Sequence, residues 1–127
     1  MSHTFENWSR SVKFTPSTFV RPTSEAEVVQ LVTAAATAGK CVRTQGAGHS
    51  FSQILTTNDV LLKLDRLPDK CVVNGTQATV CAGMQLKEVI AALKARGLGL
   101  RNIGSVTEQS IAGAFSTGTH GTGIALG

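Results

Sequence analysis

The chain has 127 residues, 42% of them hydrophobic and 16% charged, a globular composition and not that of a disordered segment. Its most apolar run, VVQLVTAAATA at 28–38, carries Gln30 and two threonines and is too short to cross a bilayer as a helix. The net charge of +4 comes from 12 basic and 8 acidic residues with no basic run of three, and one Trp with no Tyr offers little for base stacking, which argues against nucleic acid as a partner.

In chain order, the N-terminal stretch MSHTFENWSRSVKF has no apolar signal core, so an intracellular location is expected. Residues 1–22 are irregular, with Phe14, Phe19 and Val20 as short-strand anchors. TSEAEVVQLVTAAATAGK, 23–40, predicts a helix. Ser24 and Glu27 have capping-box spacing, Val28, Leu31, Val32, Ala35 and Ala36 share one face, and Gly39 is placed to end it. CVRTQ at 41–45 and VLLKL at 60–64 read as strands, the second buried. Asn74-Gly75 between CVVN and ATVCA predicts a hairpin, and the following Thr76 and Gln77 leave open whether its loop has two residues or more. QLKEVIAALKARG, 85–97, predicts a second amphipathic helix with Leu86, Val89, Ile90 and Leu93 on its apolar face. Cys41, Cys71 and Cys81 lie among apolar residues without a CxxC spacing and read as buried, reduced thiols. The fold class is α+β.

Two glycine-rich stretches carry the chemistry. QGAGHS, 45–50, and STGTHGTG, 116–123, contain no proline, so every residue offers a backbone N–H, and successive N–H groups in such turns bind anions. Two donor-rich loops, one with added hydroxyls from Ser116, Thr117, Thr119 and Thr122, suit a pyrophosphate. Known nucleotide motifs fail: the third glycine of a dinucleotide-binding fingerprint would fall at Phe51, and no GK[ST] is present. His49 and His120 have no further ligand at metal spacing, so no metal is expected.

VRTQGAGHSFS together with IGSVTEQSIAGAFSTGTHGTG resembles the N-terminal FAD-binding region of the sugar-1,4-lactone oxidases, the gulono-, galactono- and arabinono-lactone oxidases. These are flavoproteins of the vanillyl-alcohol-oxidase type with a PCMH-type FAD-binding domain. The resemblance runs from about Trp8 to the last residue. It implies that residues 1–65 form a first, βαβ-type subdomain with the pyrophosphate loop. Residues 66–127 would begin a second subdomain, an antiparallel sheet with helices, with FAD between the two. It implies that Gly46, Ala47 and Gly48 hold the pyrophosphate, with Ser50 helping. His49 would contact the flavin or bond covalently to its 8α-methyl group. Ser105, Ser110, Gly113, Thr117, Gly118, Thr119 and His120 would contact the cofactor, although backbone packing is an equal role for His120. Arg43 is open between phosphate contact and a surface ion pair.

Gly104 matches a position where oxidases tend to carry glycine and dehydrogenases alanine, a missing methyl leaving room for O2. The implied reaction is oxidation of a sugar-1,4-lactone with O2, giving an ascorbate-type product and H2O2. An alditol or another α-hydroxy compound as substrate keeps the same fold. A non-catalytic flavin-binding module is the reading from another class. The resemblance places the substrate domain and the catalytic groups outside these residues. It leaves membrane association of the full-length protein open.

Overall fold

A computed structural model describes residues 3–68 and 70–126. The chain divides into two compact units, Met1–Pro68 and Asp69–Gly127.

The first unit opens with a short antiparallel pair, β1 (Phe5–Glu6) and β2 (Lys13–Phe14), in register Phe5 to Phe14 and Glu6 to Lys13. Strand β3 (Thr18–Val20), helix α1 (Glu25–Thr37), strand β4 (Val42–Gln45) and strand β5 (Val60–Lys63) follow. The last three strands form a parallel sheet of order β3-β5-β4. β5 takes the centre because Val60, Leu61 and Leu62 are apolar and buried and a middle strand meets neighbours on both edges. Leu61 and Leu62 are essentially inaccessible. Phe5, Val12 and Leu61 form the core of this unit, with Phe14, Phe19 and Leu55 packed against it.

α1 starts at Ser24, whose hydroxyl accepts from the Glu27 N–H at 3.2 Å. The reciprocal half of the box differs from expectation. The Glu27 carboxylate reaches one residue further, accepting from the Thr23 N–H at 2.7 Å and its hydroxyl at 3.1 Å. The helix ends in a Schellman arrangement, Lys40 N–H to Ala35 C=O and Gly39 N–H to Ala36 C=O. Its expected apolar face is only partly covered: Ala35 is buried, Val28 and Leu31 are half-buried, and Val32 and Ala36 are exposed.

The second unit contains the hairpin of β6 (Cys71–Asn74) and β7 (Gln77–Val80), helix α2 (Leu86–Lys94) and a shorter helix α3 (Ile111–Ser116). Asn74 pairs with Gln77, so the hairpin loop is the two residues Gly75 and Thr76, the shorter of the two lengths that the sequence left open. Only Gly75 has positive φ (+59°), the pattern of a type II′ turn, in which glycine fills the first central position. Met84, Val89 and Leu93 form the core, with Cys71, Val73, Val80, Cys81 and Ile111 against it. α2 buries Leu86, Val89 and Leu93, and Glu88 accepts the Gln85 N–H at 2.6 Å.

α3 was not expected from its composition. It forms because Ser110 caps it, accepting from the Gly113 N–H at 3.2 Å. Its first amides are also met: Ile111 donates to Met84 C=O and Ala112 to Ala82 C=O. The cysteines depart from the buried expectation. Cys41 is exposed, its N–H donating to Asp59, while Cys71 and Cys81 are half-buried. Among the described residues, no helix is long and apolar enough to cross a membrane.

Candidate cofactor site

The first loop, Gly46–Ser50, leaves the end of β4 half-buried throughout. Gly48 has φ +76°, and a Cβ there would stand 3.6 Å from the Phe5 ring and 3.8 Å from the Asn7 backbone. The loop therefore lies directly on the first core, in a conformation that L side chains rarely adopt. The N–H groups of Ala47, Gly48, His49 and Ser50 donate to no protein acceptor among the described residues. Buried or half-buried amides without partners are costly unless a ligand or water meets them. Gln45, immediately before the loop, has a buried side-chain oxygen without a hydrogen-bond partner among the described residues, an acceptor suited to a ligand N–H or O–H.

Two residues absent from the expected set hold this loop. The Trp8 N–H donates to Gly48 C=O at 2.9 Å, and Asn7 Nδ2 donates to Ser50 C=O at 3.0 Å. Asn7 is buried (4% exposed), and its Oδ1 accepts the Val12 N–H at 3.0 Å. The Trp8 and His49 rings stack, centroids 5.9 Å apart and planes at 26°, and Phe51 meets Trp8 edge-on at 6.3 Å. The only local signal was an Asn followed by Trp and small polar residues, a pattern that suits side-chain-to-backbone turns. Nothing in the sequence ties it to Ser50, 43 positions away. Ser50 Oγ lies 3.0 Å from Ser52 Oγ and accepts from the Ser52 N–H. Arg43 is exposed, with no acidic side chain at ion-pair distance among the described residues.

The second unit gathers most of its own candidates. Gly104 faces Thr119 and His120: a Cβ on Gly104 would stand 3.2 Å from Thr119 Cγ2 and 3.6 Å from His120 C=O. Ser110 is buried, and its oxygen and the Gly113 N–H are joined in the α3 cap. The Ser110 hydroxyl proton is thus its remaining donor, and Gly113 can offer a ligand only close approach. Thr117 donates its hydroxyl to Gly113 C=O at 2.9 Å, and Gln109 Nε2 donates to Thr119 Oγ1 at 3.3 Å. Gly118 has φ +63° and closes α3, with Thr119 N–H donating to Ala114 C=O at 2.9 Å. His120 is exposed, its Nδ1 2.7 Å from Gly121 C=O. Ser105 is exposed and makes no side-chain hydrogen bond among the described residues.

Gly121 and Asn102 were also missed. A Cβ on Gly121 would collide with the Asn102 side chain and with Ile103 C=O, so 102–103 and 121 are packed backbone to backbone. Asn102 Nδ2 donates to Leu126 C=O at 3.1 Å, fastening the far side of the same loop.

A row of unpartnered amides on a glycine loop and an unpartnered buried acceptor match a phosphate-bearing ligand with further donors, as a flavin dinucleotide is. Residues 16–126 match the model of the FAD binding domain family, and the chain belongs to that family. FAD is accordingly its cofactor.

The chain is 39% identical over 127 residues to D-arabinono-1,4-lactone oxidase of Eremothecium gossypii, covering 95% of this chain and 24% of that protein. It is 42% identical over 127 residues to L-gulono-1,4-lactone dehydrogenase of Mycobacterium tuberculosis, covering 98% of this chain and 29% of that protein. It thus spans about a quarter of the length of these relatives. A crystal structure of cholesterol oxidase from B. sterolicum matches with a TM-score of 0.86 at 21% identity, over 95% of this chain and 24% of that one. At that identity the likeness concerns the fold alone. The fold is the expected α+β, PCMH-type FAD-binding fold.

Proposed function

We propose that this chain is the FAD-binding part of an oxidoreductase that oxidises a sugar-1,4-lactone of the gulono, galactono or arabinono type. O2 is the proposed electron acceptor, with an ascorbate-type product and H2O2. The observation that carries the reading is 39–42% identity, over nearly the whole chain, to enzymes named for such lactones.

When bound, FAD would supply the redox chemistry, as hydride acceptor for a lactone held by the rest of the protein. The chain's own residues bind and orient it. The amides of Ala47, Gly48, His49 and Ser50 are the proposed pyrophosphate cradle, and the Gln45 oxygen would accept from a further donor of the cofactor. His49 would meet the flavin as contact or covalent tether. Ser105, Ser110, Gly113, Thr117, Gly118, Thr119 and His120 are the proposed contacts in the second unit. Gly104 is the proposed O2-side position, and a methyl group there would crowd Thr119 Cγ2 at 3.2 Å.

One of the relatives is an oxidase and another a dehydrogenase, so the acceptor is the point to test. The full-length protein is denatured in acid, freed of loose flavin, and viewed on a gel under flavin-exciting light beside His49→Ala. A fluorescent band that disappears in the variant is the expected result for a tether. Flavin released from both samples makes His49 a contact at most. Folded protein without flavin in either sample overturns the reading. H2O2 formation with a panel of 1,4-lactones and alditols then decides acceptor and substrate together.

A further inference from the structure

We infer that Trp8 and Asn7 are positioning residues for His49: together they fix the direction in which its imidazole points at the cofactor. The inference rests on the reading of His49 as the flavin-facing residue. Three contacts carry it. Trp8 N–H holds Gly48 C=O at 2.9 Å and Asn7 Nδ2 holds Ser50 C=O at 3.0 Å, so the residues before and after His49 are both pinned. The Trp8 indole then lies against the imidazole itself, at 5.9 Å and 26°.

Each contact removes a different freedom. The two hydrogen bonds limit the backbone dihedrals at His49, which decide which side-chain rotamers are open. The stack limits rotation of the ring within those rotamers. A histidine on a glycine-flanked loop would otherwise sample several orientations. Contact with a fixed ring atom, or bond formation to it, needs one of them held.

The holder is itself anchored. Asn7 is buried at 4%, its Oδ1 accepting Val12 N–H and its own N–H donating to Val12 C=O at 3.1 Å. The clamp is therefore an extension of the first core, where Val12 packs with Phe5 and Leu61. Trp8, by contrast, is 69% exposed. A tryptophan that contributes so little to the core is placed for the rings it touches, and those are His49 and Phe51.

The test uses the full-length flavoprotein with 13C-labelled histidine, comparing wild type, Trp8→Leu, Trp8→Phe and Asn7→Ala. The His49 ring signal is assigned by its loss in His49→Gln. The exposure of Trp8 means that Trp8→Leu leaves the core untouched, which keeps the test sound even where Asn7→Ala fails to fold. The expected result is a His49 ring signal displaced by the indole ring current, relaxed in Trp8→Leu and largely kept in Trp8→Phe. Acid-stable flavin should fall several-fold in Trp8→Leu, with FAD affinity little changed, and recover in Trp8→Phe.

An unmoved His49 signal in Trp8→Leu overturns the inference. So does a moved signal with unchanged acid-stable flavin. A wild type whose flavin is all acid-releasable defeats the tether and not the positioning. The deciding readout is then the change in the His49 signal on adding FAD. If it differs between wild type and Trp8→Leu, the positioning role stands; if it is the same, the role is lost.

Discussion

Arg21 grips Asp65 with two parallel hydrogen bonds, Nε to Oδ1 at 2.9 Å and Nη2 to Oδ2 at 2.8 Å. Lys63 adds a third cationic contact at 3.1 Å. Arg21 follows β3 and Asp65 follows β5, so the pair ties two neighbouring parallel strands at the same end. Partial burial pushes the Asp65 carboxyl up, but the hydrogen bonds and charges of Arg21 and Lys63 outweigh it and hold it below the usual carboxylate range. A carboxylate depressed in the folded state stabilises the fold above its unfolded pKa of about 4 and loses that contribution as pH falls through the folded value. Asp65→Asn should therefore be less stable than wild type at neutral pH, with the gap closing in acid. Urea denaturation across pH measures it. A gap that is constant from neutrality down to about pH 2 would show that the pair's charge contributes nothing.

At Gly48 the backbone, not the space, is limiting. A Cβ there would meet Phe5 at ordinary contact distance, 3.6 Å, but at φ +76°. Gly48→Ala should cost about 1–2 kcal/mol in stability, the penalty of the left-handed region for an L side chain. FAD affinity should weaken with it as the cradle amides turn. Denaturation and flavin titration on the same samples check both.

Gly121 presents the opposite case, with no positive φ and no room. A Cβ would strike Asn102 and the Ile103 carbonyl, and a backbone carbonyl cannot swing aside as a side-chain end can. Gly121→Ala should displace the loop and lower flavin retention. Gly99→Ala, where nothing lies within 4 Å, should leave retention unchanged. Equal retention in the two variants would remove Gly121 from the site.

Gly104→Ala adds a methyl group 3.2 Å from Thr119 Cγ2, tighter than ordinary contact. On the proposed function, stopped-flow reoxidation by O2 should slow in this variant, while anaerobic reduction by lactone is little altered. Thr119→Ser removes the crowding methyl. If reoxidation recovers in the double variant, strain at Thr119 and not O2 access was the cause.

Leu61 sits at the centre of β5 with no exposed surface, in the core that carries Phe5 beneath Gly48. Leu61→Ala should destabilise the protein by about 2–5 kcal/mol through lost burial and the cavity left behind. Calorimetry or denaturant unfolding measures it. A cost well under 1 kcal/mol would mean that this core is far looser than the packing indicates.

Local elements were legible where the signal lies within a few residues. Ser24, Gly39 and the apolar spacing of 86–93 define two helices because capping and 3.6-residue periodicity act over one or two turns. Val60, Leu61 and Leu62 predict a buried strand because three successive apolar positions must be covered on both faces. The limits show at Cys41, which looked like a core thiol and is exposed beside Asp59. They show again at α3, hidden in a Gly/Ser/Thr-rich stretch because its amides are met by Ala82 and Met84, more than 25 positions earlier.

The site divides along the same line. By itself the sequence determined the two glycine-rich loops, the position of His49 and the family to which the paired motifs point, since backbone amides without side chains need only local chemistry. Only the tertiary structure decided how those loops are held. Asn7 reaching Ser50, Trp8 facing His49 and Gly104 meeting Thr119 are contacts across 15 to 43 positions. No local propensity encodes them; they exist because burying Phe5, Val12 and Leu61 in one unit, and Met84, Val89 and Leu93 in the other, brings distant backbone together.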